Sequence, residues 1–222
     1  MTGANSGIGF ETAKGLAAAG MRVVVAGRDE ERAERAAAGI RAARPAGEAR
    51  AARLDLASLD SIAAFAGRLV DSGEPIDVPV DNAGVMAVPQ RLTTVDGFEL
   101  TVGTNHLGHF ALTGPPAARP AERGRAPGHQ HDQPPAAHPA GRTGAGPARA
   151  GALPRPPGRP GGAPLAGGAF YAPTGRRELR GAPGPVKTPP AALDPETARS
   201  LWTRSEQLTA VRYQIPAARA AM

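Results

Sequence analysis

Between Gly114 and Pro164 the chain holds a single large apolar residue, Leu153, and no Ile, Val, Phe, Met, Trp or Tyr. So little apolar surface cannot offset the entropy lost when a chain is ordered. Residues 114–164 are therefore expected to be a disordered Pro/Gly/Ala/Arg-rich segment, with local polyproline II where Pro clusters, as in LPRPPGRP. Folded structure must come from residues 1–113 and from a tail, 165–222, where ordinary patterning resumes.

Other features exclude whole classes. The chain has no Cys, which removes disulfides and thiolate metal sites. No apolar run approaches the ~18 residues of a membrane span. The opening MTGANSG has neither a charged nor an apolar leader region, so it is not a signal peptide, and a cytoplasmic location is expected. The formal charge is +6, and residues 114–164 carry seven Arg against Glu122 and Asp132. That interval has no aromatic ring to stack on bases, so a nucleic-acid partner is not favoured. His129, His131, Asp132 and His138 offer ligand atoms, but a disordered segment supplies no preformed geometry, and no metal is expected.

Along residues 1–113, strand and helix patterns alternate. Residues 8–19 read as a helix with Ile8, Ala13, Leu16 and Ala17 on one side, stopped by Gly20. MRVVVAG (21–27) reads as a buried strand, and residues 29–43 as a helix with acids in its first turn. ARLDL (52–56) is expected as a second strand, 58–70 as a helix capped by Ser58, and IDVPV (76–80) as a third strand. Residues 96–113 read as a long helix opened by a capping box of Asp96 and Glu99. Strands alternating with helices imply a parallel sheet with helices on both faces. In the tail, Asp194, Pro195 and Glu196 mark the start of a helix spanning about 195–211.

The opening TGANSGIG places Gly3, Gly7 and Gly9 directly before the first helix. Glycines let backbone amides approach a pyrophosphate, and a helix N-terminus supplies free N–H groups and a positive dipole end. With DNAG (81–84), LDL (54–56) and TNHLGHFALT (104–113) in order behind it, the chain resembles the classical short-chain dehydrogenase/reductase family, of the retinol-dehydrogenase-like kind. The resemblance implies an α/β, Rossmann-like, doubly wound parallel sheet. It implies cofactor contacts from Gly3, Asn5, Ser6, Gly7, Ile8 and Gly9 in the loop, from Asp55 and Leu56 beside adenine, and from Asn82, Ala83 and Gly84. It makes Asn105 the surviving member of the family's catalytic tetrad. Arg28, at the end of VVVAGRD, is placed for a ribose 2′-phosphate, so NADP is expected, with NAD as the alternative because Asp29 lies beside it. Binding is expected to be weakened or lost if the fold is damaged.

Three departures from the family pattern matter. Asp81 stands where the family motif has Asn. Pro79 interrupts an expected central strand, where it removes a ladder N–H. Only Met1 precedes Thr2, so the family's first strand, which the resemblance places mid-sheet, is not in this sequence: either the true start is upstream or the sheet has lost a central member.

The resemblance also implies hydride transfer between a nicotinamide and an alcohol or carbonyl. In the family a Tyr four residues before a Lys handles the proton and a Ser orients the substrate oxygen. Here Gly175 lies four residues after Tyr171, and Ala217 four after Tyr213; the Lys residues are Lys14 and Lys187. No Tyr-x-x-x-Lys exists, so both Tyr residues are expected to serve packing and the chain is expected to be inactive. A reading-frame shift in a GC-rich gene would produce such a segment. GHQHDQ (128–133), read one base forward, permits Val-Ile-Asn-Met-Ile-Ser, a strand ending at a Ser. A non-catalytic nucleotide-binding or interaction protein, with the Pro/Arg-rich segment as a partner ligand, is the alternative.

Overall fold

The computed structural model describes residues 1–43, 45–114, 170–174 and 183–214. They fall into two compact units: 1–114 with 194–214, and 170–174 with 183–193. The disorder expected for 114–164 and the His129, His131, Asp132, His138 group lie, Gly114 apart, outside the described residues.

In the first unit the chain runs α1 (Gly7–Ala18), β1 (Arg22–Gly27), α2 (Glu30–Ala42), β2 (Glu48–Arg53) and α3 (Leu59–Asp71). It continues through α4 (Leu100–Val102), a π-helical turn (Gly103–Leu107) and α5 (Gly108–Thr113). α6 (Pro195–Thr209) belongs to the same unit.

β1 and β2 pair in parallel from Arg22↔Glu48 to Gly27↔Arg53. Period-two alternation sends successive β1 side chains to opposite faces. Val23 and Val25 enter a core with Ala13 and Ala17 of α1 and Ala33, Ala37 and Ile40 of α2. Val24 and Ala26 pack into a second core with Leu54, Leu56, Ile62, Phe65 and Phe110. Helices thus cover both faces of a parallel pair, the doubly wound Rossmann-like arrangement that the alternation predicts.

The caps expected at Ser58 and Asp194 hold, and Asp29, expected inside its helix, caps it instead. Asp29 accepts a hydrogen bond from Arg32 N at 3.0 Å, and Ser58 one from Ser61 N at 3.2 Å. Asp194 accepts from Glu196 N and Thr197 N at 3.2 and 3.1 Å. α6 stops at Thr209 because Ala210 turns left-handed, at φ 57°.

Four expectations need correction. β2 is Glu48–Arg53, not 52–56: its EARAAR sequence shows no apolar alternation, while Leu54 and Leu56 lie past the strand as core residues. Residues 76–80 form no strand; Thr2 N donates to Val80 O at 3.0 Å, and no ladder develops beyond it. The long helix begins at Leu100, not 96. Its cap is Glu99, which accepts from Thr101 N and Val102 N, while Asp96 accepts from Leu59 N at the start of α3. Ile8 is 83% exposed, so it does not join Ala13 and Ala17 in the core.

α6 and the residues after it seat on α5 through aromatic rings. Phe110, Trp202 and Tyr213 lie with centroids 4.8–5.1 Å apart in tilted or edge geometries. The Tyr213 hydroxyl donates to Phe110 O at 2.6 Å, and burial raises its pKa above the usual phenol value. Tyr213 is thus a packing residue as expected. Tyr171 is not; it is 45% exposed in the second unit, where β3 (Tyr171–Pro173) pairs antiparallel with β4 (Pro183–Pro185).

Candidate functional site

Three segments meet at the C-terminal end of β1: the loop 2–7, the loop 81–85, and the π turn that carries Asn105. Their junction is built on Thr2, which is 3% exposed. Its Oγ1 accepts from Asn82 N and from Ala83 N, each at 3.0 Å, and lies 2.9 Å from His109 Nε2. His109 Nδ1 lies 3.0 Å from Asn105 O, a carbonyl that only accepts. The Nδ1 therefore carries the ring proton, Nε2 is bare, and the Thr2 hydroxyl donates to it. Asn82 returns the tie, its Nδ2 donating to Thr2 O and Gly3 O at 3.0 and 3.2 Å.

Gly3 and Gly9 are needed for this contact. A Cβ on Gly3, whose φ is +64°, would lie 2.8 Å from Ala83 Cα; one on Gly9 would lie 2.4 Å from Gly3 O. Gly7 differs: at φ +56° a Cβ there meets nothing within 4 Å. Its backbone faces open space at the first residue of α1. Ser6 is extended there without a side-chain cap bond, and no acid sits in the first turn. The first N–H groups of α1 are thus left to an outside acceptor, which the helix dipole makes favourable for an anion. Ile8 lies exposed beside them.

Asn105 holds the other side. Its Oδ1 accepts from Val85 N at 2.8 Å and its Nδ2 donates to Val85 O at 2.9 Å. Gly84 passes close by, with room for a Cβ 3.5 Å from Asn105 Oδ1. Both ends of the Asn105 amide are therefore engaged in fixing loop 81–85.

The remaining predicted residues sit around this junction with unequal roles. Arg28 is exposed just past β1 and has no partner among the described residues, whereas Asp29 is occupied as the α2 cap and pairs with Arg32 Nε at 3.2 Å. A hollow of about 300 Å³ is lined by Asn5, Ser6, Phe10, Arg32, Arg35 and Ala36. Asp55 turns its Oδ1 onto Ala57 N at 2.9 Å, and Leu56 is buried. Asp81 is exposed and not part of the hydrogen-bonded junction. Among the described residues no group of three His, Asp or Glu side chains forms a metal-binding cluster.

Sequence reasoning missed Thr2, His109, Arg32 and Arg35. His109 lies four residues after Asn105, one helical turn on, and that spacing was its only local signal.

A family model described as short chain dehydrogenase matches residues 1–119. This chain belongs to the short-chain dehydrogenase family. Over 113 residues it is 49% identical to retinol dehydrogenase 13 of Homo sapiens, which covers 51% of this chain and 34% of that protein. It is 50% identical over the same length to polyprenol dehydrogenase of Mus musculus, covering 51% and 33%. The family member thus spans about a third of the length of these curated relatives. An uncharacterised protein from Mycobacterium paratuberculosis of solved structure superposes with a TM-score of 0.65 at 27% identity, covering 96% of this chain and 93% of that one. No helix among the described residues is long and apolar enough to cross a membrane.

Proposed function

We propose that this short-chain dehydrogenase binds a nicotinamide dinucleotide, NADP in preference to NAD, and does not turn over alcohols or carbonyls by the family's route. One observation carries the binding half: the uncapped, acid-free N-terminus of α1 opens beside Gly7, while Gly3 and Gly9 are packed against Asn82 and Ala83. Backbone N–H groups there would hold the pyrophosphate, with Asn5, Ser6 and the exposed Ile8 around it. Asn82, Ala83 and Gly84 would lie along the cofactor, held by Asn105, and Asp55 and Leu56 toward the adenine. Arg28 supports the 2′-phosphate, because Asp29, which would otherwise repel it, is already neutralised by Arg32. Arg32 and Arg35, beside Ser6 and Asn5, add positive charge on the same side.

When bound, a nicotinamide supplies hydride to or takes it from a carbon bearing oxygen. The proton half of that exchange needs an acid at the substrate oxygen. Tyr213 cannot provide it: its hydroxyl is held by Phe110 O and Thr113 Oγ1, with a pKa raised by burial rather than lowered by a Lys. Asn105 is a positioning group whose amide is already engaged. The names of the curated relatives tie those proteins to retinol and polyprenol; for this chain only the class, an alcohol or carbonyl, enters the proposal. A cytoplasmic location and a frame-shifted middle segment belong to the same reading. Cell fractionation tests the first, and nucleotide sequence across codons 110–165 the second.

Titration calorimetry of the whole chain with NADP and NAD is expected to give saturable heat, stronger for NADP. NADPH with a broad carbonyl panel is expected to show no consumption. Absence of heat would overturn the binding half; turnover would overturn the other.

A further inference from the structure

His109 joins the two loops of the candidate cofactor site to the turn that carries Asn105, and it does so as a buried neutral base. Its ring and Thr2 are both buried. Nδ1 donates to Asn105 O at 3.0 Å, which leaves Nε2 to accept from the Thr2 hydroxyl at 2.9 Å. A hydroxyl oxygen has two lone pairs. Both of those on Thr2 are taken, by the Asn82 and Ala83 N–H groups at 3.0 Å each. A second ring proton has no place in this arrangement. A hydrogen on Nε2 would point at an oxygen that already accepts twice, and the hydroxyl hydrogen would have to leave. Among the described residues the other acceptor in its reach is Val80 O, at 3.5 Å, the outer limit of a hydrogen bond. Charging the ring therefore displaces the Asn82 or the Ala83 N–H from Thr2.

Either loss frees loop 81–85 at the end opposite its tie to Asn105. Asn82 Nδ2 stays on Thr2 O and Gly3 O, so the junction loosens rather than comes apart. The elements packed around the ring offer it no bonded counter-ion. Asp81, next to Asn82, favours a charge on the ring, while the Met1 amino group, next to Thr2, opposes it. In the π turn, His106 lies 2.8 Å from Ser205 Oγ, and past β2 the Asp55 carboxylate is held on Ala57 N. α3 turns Ile62 and Phe65 to the core it shares with α5, and its Asp60, Arg68 and Asp71 are exposed. α6 turns Trp202 to Phe110, and its Glu196, Arg199 and Arg204 are exposed. Glu206 accepts from Tyr213 N, and the Tyr213 hydroxyl is held by Phe110 O.

We propose that His109 is a positioning residue that makes dinucleotide binding at this site sensitive to acid. The neutral ring, protonated on Nδ1, holds loops 2–7 and 81–85 together for the cofactor. A second ring proton releases loop 81–85 and weakens the ligand's hold. This rests on the dinucleotide reading above. Imidazole is the side chain that takes up charge in the mildly acidic range. Proton and dinucleotide then oppose each other, and the coupling is reciprocal: acid weakens the dinucleotide, and bound dinucleotide resists charging of the ring.

The test is titration calorimetry of the whole chain with NADP and with NAD, from about pH 8 down to about pH 5.5, for the native sequence and for His109→Gln. Gln keeps an oxygen for the Thr2 hydroxyl and cannot be charged. Whatever affinity the variant has at the upper end, the native chain is expected to lose about tenfold more than the variant on acidification, the order of one lost hydrogen bond. The Met1 amine, His106 and the 2′-phosphate are common to both titrations, so the difference between the two profiles belongs to position 109. A second measurement needs no variant: in nitrogen NMR spectra of the imidazoles, His109 is expected to charge at lower pH with NADP bound than without. Parallel affinity profiles, or a ring that charges at the same pH in both states, overturn the proposal and leave the dinucleotide reading standing. No saturable binding at any pH overturns that reading and this proposal together.

Discussion

Asn105 grips Val85 at both ends of its side-chain amide, accepting from the Val85 N–H at 2.8 Å and donating to the Val85 carbonyl at 2.9 Å. A residue twenty positions away along the chain is thereby locked to the π turn. Such turns depart from the regular i→i−4 ladder and are common at functional sites. In this fold the turn presents the amide to the loop that runs along the candidate cofactor site.

Removing that amide leaves both backbone groups of Val85 without a partner. Asn105→Ala is expected to lower stability by about 1–3 kcal/mol, the cost of partly buried groups left unpaired. It is also expected to weaken NADP binding, because loop 81–85 loses its tether. Urea denaturation measures the first effect and calorimetry the second. If stability falls with unchanged NADP affinity, the loop does not position the cofactor.

Thr2 plays the matching role on the other side of the junction. Its hydroxyl accepts from two backbone N–H groups and donates to His109. Thr2→Val keeps the shape and deletes the oxygen, orphaning the amides of Asn82 and Ala83 and the bare Nε2. A loss of about 2–4 kcal/mol is expected. Thr2→Ser keeps the hydroxyl and should retain most of the stability. Similar losses from Val and Ser would show that the methyl group, not the hydrogen bonds, matters at this position.

These two residues also show how far sequence reading reaches. TGANSGIG and DNAG placed the two loops because glycine spacing before a helix has a direct physical meaning: Gly3 and Gly9 carry no Cβ where another backbone passes. Thr2 and His109 carried no such signal, since their roles exist only once residues 107 positions apart are brought together. The same holds for β2. EARAAR has no apolar alternation, and its place is set by pairing with RVVVAG rather than by its own pattern. Residues 76–80 mislead in the opposite direction: IDVPV has strand composition, but it makes one backbone bond, from Thr2 N to Val80 O, and no ladder. Capping chemistry read correctly at Ser58 and Asp194, where cap and helix are adjacent. It failed at Asp96, whose carboxylate is taken by Leu59 of a distant helix.

The glycines of the loop separate packing from ligand access. Gly9→Ala puts a methyl group 2.4 Å from Gly3 O, a backbone atom that cannot move aside without displacing the loop. It is expected to cost about 1–3 kcal/mol and to abolish NADP binding. Gly7→Ala meets no protein atom, so its cost is the left-handed strain of a φ of +56°, about 1–2 kcal/mol. The two are expected to differ in cause: raising φ-permissive character at position 7 with Asn should recover part of the stability, whereas no side chain rescues position 9. Denaturation midpoints of Gly7→Ala, Gly7→Asn and Gly9→Ala decide this, and equal midpoints for the two position-7 variants would contradict it.

Met1 makes the stability of the first unit depend on pH. Burial lowers the pKa of its amino group from the ordinary 8.0, with Asp81 partly opposing the shift. A base whose folded pKa lies below its unfolded value binds fewer protons when folded, so stability rises with pH across the window between the two values. Below the folded pKa the buried ammonium penalty is fully present; by about pH 8 and above it has faded. Urea midpoints at a series of pH values leading up to that point are expected to climb. Acetylating the amine keeps an N–H for Val24 O but removes the charge, so the acetylated chain should lose this part of the climb. Parallel profiles for the free and acetylated chains would show that the slope arises elsewhere.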